Sequence, residues 1–143
     1  MSKPGDTAIR HAKAWLVSRY QDAPMLQARK FVVRQRGRTI SLGEDLFGVF
    51  DFLVLPPDGV ARLIQVTTMP PDPRAGGGSP PMRRRKVQDW IEATYPGVAN
   101  HIAEVLVMAW VKGKHFRRWE WSWAQGEWNE ISTVTSPLLK GST

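Results

Sequence analysis

A mixed α/β domain, with helices packed against a central mixed sheet, is the fold class that the sequence predicts. Three observations point there. The chain has 143 residues, the size of one ordinary domain. Its apolar periodicity reads helix, three strands, helix, then further strands, an order that suits a sheet flanked by helices. Hydrophobic residues make up 42% and charged residues 23%, which are globular values, and seven Trp supply large surfaces to bury.

The elements follow in chain order. Asp6 or Thr7 can cap a first helix running to about Tyr20, with Ile9, Ala12, Trp15, Leu16 and Tyr20 on its buried stripe. Pro24 stops any continuation. Phe31 to Arg36 reads as a strand, residues 38–45 as a loop, and Phe47 to Leu55 as a central strand because the run is almost continuously apolar. Pro56-Pro57-Asp58-Gly59 is a turn signal, and Ala61 to Thr68 is the return strand. Residues 69–81 are rich in Pro and Gly and read as a loop. Ser79 and its prolines start a second helix, about Met82 to Tyr95, with Val87, Trp90, Ile91 and Thr94 on one side. Ala103 to Val111 is a strand, and Phe116 to Trp123 with Trp128 to Val134 form a hairpin around Gln125-Gly126. Residues 1–135 are expected to form a single domain and 136–143 a flexible tail.

Charge narrows the partners. Twenty Lys and Arg against thirteen Asp and Glu give a net charge of +7. Such a field attracts phosphate backbones. No apolar run approaches the ~20 residues of a spanning helix, so no membrane partner is expected. The start, MSKPGDTAIRHAK, has no apolar signal core, and a cytoplasmic location is expected. Cys is absent, which removes disulfides, thiolate nucleophiles and Cys-based zinc sites.

Asp51 is the informative residue. A carboxylate inside the run Phe47 to Leu55 is costly to bury. The return strand offers Gln65 and Thr67, two positions apart and therefore on one face. If the connecting loop is Pro56 to Val60, an odd length, Leu55 opposes Ala61 and Asp51 opposes Gln65 on the same face. An even loop would separate them. The odd register is predicted. Glu44 and Asp45 lie just upstream and can reach the open end of this cluster. Carboxylates, an amide oxygen and water suit a hard cation such as Mg²⁺ or Mn²⁺. On the second helix, in the run Arg83-Arg84-Arg85-Lys86, Arg85 faces water while Lys86 can lean toward the sheet.

Asp45-Leu-Phe-Gly-Val-Phe-Asp51, then Arg62-Leu-Ile-Gln65-Val-Thr-Thr68, then Arg83-Arg-Arg-Lys86-Val, resembles the PD-(D/E)XK nuclease superfamily. Within it, the stretch is most similar to the phage and archaeal Holliday junction resolvases. The resemblance implies a restriction-endonuclease-like core over residues 6 to about 111 and a Mg²⁺- or Mn²⁺-dependent endonuclease acting on four-way DNA junctions. It implies Asp51 at the metal-binding Asp, Gln65 at the Asp or Glu of the next strand, and Thr67 where the catalytic Lys stands. Lys86 would be a lysine relocated to the following helix. The chain departs from the family in having Gln65 for an acid, Thr67 for a lysine and no Glu among Ile9 to Lys13, where His11 is a poor substitute. Asp45 or Glu44 would restore the missing charge. A homodimer would supply the two active sites that two symmetric cuts need. Arg29, Lys30, Arg34, Arg36 and Arg38, the run Arg83 to Arg85, and Lys112, Lys114, Arg117 and Arg118 would hold the DNA arms through phosphates.

Plainer readings stand beside these. Asp51 could be a structural carboxylate at a strand end, and a basic helix run is usually a solvated face. Trp119, Trp121 and Trp123 alternate on one strand face, a pattern that more often packs under a helix or forms a dimer contact than stacks on bases. His11, His101 and His115 share no ligand spacing. Two other functions fit the same residues: a relative that binds nucleic acid without cutting it, and a repair or restriction-type nuclease of the same fold.

Overall fold

The computed structural model describes residues 4–69, 79–95, 103–111 and 113–139, and of residues 4–6, 29–35 and 38–44 the backbone alone. Two helices flank a six-stranded mixed sheet, an α+β arrangement. Helix α1 spans Pro4–Arg19 and α2 spans Pro80–Thr94. The sheet is built from β1 (Met25–Gln27), β4 (Phe52–Val54), β5 (Ala61–Met69), β6 (Ala103–Val111), β7 (His115–Ser122) and β8 (Glu127–Thr135), in that spatial order. Strands β2 (Arg29–Gln35) and β3 (Arg38–Glu44), which follow β1 and precede β4 in the chain, form a separate two-stranded ribbon.

Neighbouring strands are antiparallel except β5 and β6, which are parallel and joined through α2. A parallel pair needs such a crossover. Strand parity then assigns the two faces. Phe52, Val54, Ile64, Val66, Leu106, Met108 and Phe116 pack with Ala8, Ala12 and Leu16 of α1. Leu63, Val105, Val107, Ala109, Trp119, Trp121 and Trp123 pack with Val87 and Ile91 of α2. The tryptophan row therefore lies under a helix, as its same-face spacing favours.

Helix α2 begins as its sequence predicts. Ser79 caps it by accepting a hydrogen bond from Met82 N, and Pro80 and Pro81 occupy the first turn, where no backbone N–H is needed. Three expectations need correction. Residues 38–45 are mostly strand β3: Arg36 and Gly37 both take positive φ, 52° and 74°, and turn β2 directly into β3. The apolar run from Phe47 to Leu55 is strand only from Phe52 to Val54. Its first half is a tight turn closed by the Leu46–Phe50 bridge, with Phe47 at φ 54° and Gly48 at φ 74°. The chain after β8 is docked rather than loose as far as Leu139. Ser136 is fully buried against His11, while residues 140–143 lie outside the described residues.

Candidate functional site

Strands β4 and β5 pair as Phe52–Ile64, Leu53–Leu63 and Val54–Arg62. The connecting loop is therefore the odd one, Pro56 to Val60, and the same register continued one step sets Asp51 opposite Gln65. Backbone bonds fix Asp51 on both sides: its N–H donates to Ile64 O at 2.9 Å, and its carbonyl accepts from Ala28 N at 2.8 Å. Its carboxylate Oδ2 accepts from Val66 N at 2.7 Å. That bond satisfies a β5 amide just past the end of β4, so Asp51 has the structural role of the plainer reading whatever else it does.

Gln65 and Thr67 are buried on the face that α2 covers. The Gln65 amide nitrogen makes one long contact with Val66 O, 3.4 Å. Its Oε1 is buried and finds no donor among the described residues. A neutral acceptor left that way costs about 1–3 kcal/mol. The cost is removed by a water or a cation in contact with that oxygen.

Lys86 reaches the neighbouring turn, where its Nζ lies 3.8 Å from Asp45 Oδ2. Both side chains are partly in solvent, so the pair is loose and of small stabilising value. Two predicted site residues, Asp45 and Lys86, thus meet each other. Asp51, Gln65 and Thr67 form a second group on the sheet itself. The Glu44 side chain lies outside the described residues, and among the described residues no three His, Asp or Glu side chains are grouped so as to hold a metal ion. His11 sits on the other face of the sheet. It stacks on Trp110 at 4.3 Å and shares a 2.6 Å hydrogen bond with Ser136 Oγ. It is a core residue, and burial, followed by the charge of Arg10, lowers its pKa.

The predicted phosphate contacts divide. Arg36 is exposed at the ribbon turn, and Lys114 is exposed between β6 and β7. Arg85 is exposed and pairs with Asp89 at 3.1 Å. Arg83 is half-buried. Arg84 is not a solvated cation: its guanidinium lies over Trp119 at 4.5 Å, with Arg117 on the same ring at 4.9 Å. Burial and the charge of Arg117 push the Arg84 pKa down. Glu130 offsets this crowding through a two-pronged bond to Arg117 at 2.7 and 2.8 Å. The side chains of Arg29, Lys30, Arg34 and Arg38, and all of Lys112, lie outside the described residues.

The sequence reading missed two features near α2. One is the cation-aromatic stack in which Arg84 of α2 meets Arg117 and Trp119 of β7, a contact between elements that leaves no local pattern. The other is Phe47, 64% exposed on its turn. The Phe-Gly pair inside an apolar run was its only signal. Compared with known protein families, curated proteins and solved structures, the chain matches none. Among the described residues no helix is long and apolar enough to cross a membrane.

Proposed function

We propose that the protein is a metal-dependent, structure-selective DNA endonuclease whose substrate is a branched duplex, with the four-way junction as the leading candidate. One observation carries the reading: a buried amide oxygen on Gln65 without a donor, set by strand register opposite the carboxylate of Asp51. Hard oxygen donors of this kind fit Mg²⁺ or Mn²⁺, and Asp51, Gln65 and, from just before the Leu46–Phe50 turn, Asp45 or Glu44 would hold it. A bound cation of that type supplies Lewis acidity at a phosphodiester and a more acidic water.

The chain's own residues carry the rest. Asp51 holds the middle of β5 through Val66 N, so one hydrogen bond ties the carboxylate to the strand that carries Gln65. Lys86, drawn to the turn by Asp45, places a cation on the rim. The net charge of +7 favours encounter with phosphates. With the β2–β3 ribbon set aside, the path α1, β1, β4, β5, α2, β6, in which β5 and β6 run parallel, supports the restriction-endonuclease-like reading of the core. A homodimer acting on the two halves of a junction, in the cytoplasm, belongs to the same proposal.

A second reading is binding without cleavage. It is favoured by the commitment of Asp51 Oδ2 to a backbone amide and of Lys86 to Asp45. One experiment separates the two. The protein is incubated with Mg²⁺ or Mn²⁺ and linear, flap and four-way DNAs, beside Asp51→Asn. That variant retains an oxygen for Val66 N while losing the charge. Metal-dependent cutting of the junction that disappears in Asp51→Asn supports the nuclease. Salt-sensitive binding with no cutting supports the binder. Equal cutting of every DNA rules out junction selectivity.

A further inference from the structure

Phe47 sits in a position that the fold alone does not explain. Its backbone is left-handed at φ 54°, a region that Cβ-bearing residues avoid and that Gly or Asn occupies readily. Its ring is 64% exposed. A glycine would make the same turn without strain and without an aromatic surface in water. Strain held at an exposed aromatic residue is a pointer to function.

Its surroundings say what could use it. Met82, Lys86 and Trp90 follow one another at four-residue spacing and so form one stripe along α2. The turn lies against that stripe at two points: Asp45 on Lys86, and the Phe47 ring at 5.9 Å from Trp90, tilted by 33°. Trp90 is itself held from behind by Phe50 and Tyr95, at 5.0 and 5.8 Å. Phe47 therefore stands on a rigid aromatic base, about one helical turn from an exposed lysine. Met82, 66% exposed, marks the stripe one turn further on. An exposed aromatic face beside a cation, on a helix carrying Arg83 to Lys86, is complementary to a nucleotide: phosphate on the lysine, base on the ring.

We propose that Phe47 is a stacking platform for an unstacked base face of the DNA, so that the turn Leu46–Phe50 reads the place where strands part. This rests on the nucleic-acid reading above and extends it. Fully paired duplex offers no free base face, whereas a branch point does. Phe47 would therefore add to the affinity for branched DNA and leave the phosphate contacts to duplex unchanged.

Binding is measured in EDTA, so that no cleavage intervenes. The probes are a four-way junction carrying 2-aminopurine at the branch and a perfect duplex of equal length. The wild type should bind the junction more tightly and change the 2-aminopurine emission. Phe47→Gly relieves the backbone strain, so its melting temperature should not fall. It should bind the junction roughly tenfold more weakly and the duplex within about twofold of wild type. Phe47→Trp should keep the junction preference, and Phe47→Leu, apolar but without a stacking face, should lose it. Those two variants decide the matter if the glycine variant does not fold. If the variants bind both DNAs as the wild type does, or lose both equally, the platform is wrong and the nucleic-acid reading stands. If the wild type binds no DNA in a salt-sensitive way, both fall. Phe47-dependent capture on phosphatidylserine vesicles in place of DNA would assign the patch to a lipid surface and overturn the proposal.

Discussion

The two faces of the sheet handle polar groups differently. On the α1 face the buried polar side chains have charged or hydrogen-bonded partners, although Arg62 Nε meets Glu104 through an ion pair alone, without a well-formed hydrogen bond. His11 stacks on Trp110 and bonds to Ser136. Arg62 reaches Asp58, Glu104 and the Val60 carbonyl, with the Tyr20 ring beside it. On the α2 face Gln65 Oε1 and Trp128 Nε1 are buried without partners among the described residues. Trp119, meanwhile, carries two arginines. A face closed by its own chain serves stability. A face with one unpaired acceptor, one unpaired donor and crowded cations is one on which a ligand can act.

Four changes test that contrast, in falling order of effect. Phe52→Ala, at a fully buried α1-face position, should cost about 3–5 kcal/mol in urea unfolding, because the cavity lies in the closed layer. Gln65→Met should go the other way and raise stability by roughly 1 kcal/mol in metal-free buffer, since it deletes an unpaired acceptor at nearly constant volume. A loss of similar size would mean that the amide is already satisfied, and the contrast between faces would weaken. Cleavage, if present, should vanish in the same variant.

The third test is pH. His11 holds its proton less tightly in the folded chain than its ordinary value of 6.5, chiefly through burial and then through Arg10. The unfolded chain therefore binds more protons in the window below 6.5. The contribution of His11 to stability is complete above that value and is lost as pH falls through the folded value. Thermal melts from pH 7.5 to 5 should show the decline, and His11→Gln should flatten it. The smallest effect belongs to Arg85→Ala, which breaks an exposed pair with Asp89 and should change stability by under about 0.5 kcal/mol.

Much of the architecture was legible in the sequence because it rests on local periodicity. Both helices, β5, β6 and the final hairpin follow from apolar spacing and from Pro and Gly punctuation. The Asp51–Gln65 opposition followed from counting one loop, since strand parity leaves two outcomes. The failures have physical causes. Thr39, Ser41 and Gly43 alternate with Ile40 and Leu42, a period of two with only two large apolar residues to carry it, and the stretch reads as a loop. Met25–Gln27 is too short for any period to register. Within the run from Phe47 to Phe50, Val49 and Phe50 are apolar because they are buried in the core on the α2 side, not because they belong to the sheet. At the site, opposition across two strands could be deduced, whereas the pairing of Lys86 with Asp45 needed the turn that was read as strand. The side chains that crowd Trp119 come from two elements, Arg117 from its own strand and Arg84 from α2, and the second contact is a long-range one that no single segment encodes.

The parallel pairing of β5 with β6 also has a consequence in time. Its nine opposed positions join residues about forty apart in the chain. The ribosome delivers β5 well before β6. During that interval one side of β5 has only three-residue β4 as its sheet neighbour, and the other side waits for its partner. This strand, in which Arg62 to Thr67 are all buried in the finished sheet, thus spends part of synthesis as an open edge, the condition under which chains pair with one another. Slowing translation across α2 should therefore lower the yield of native protein more than slowing it across the terminal hairpin.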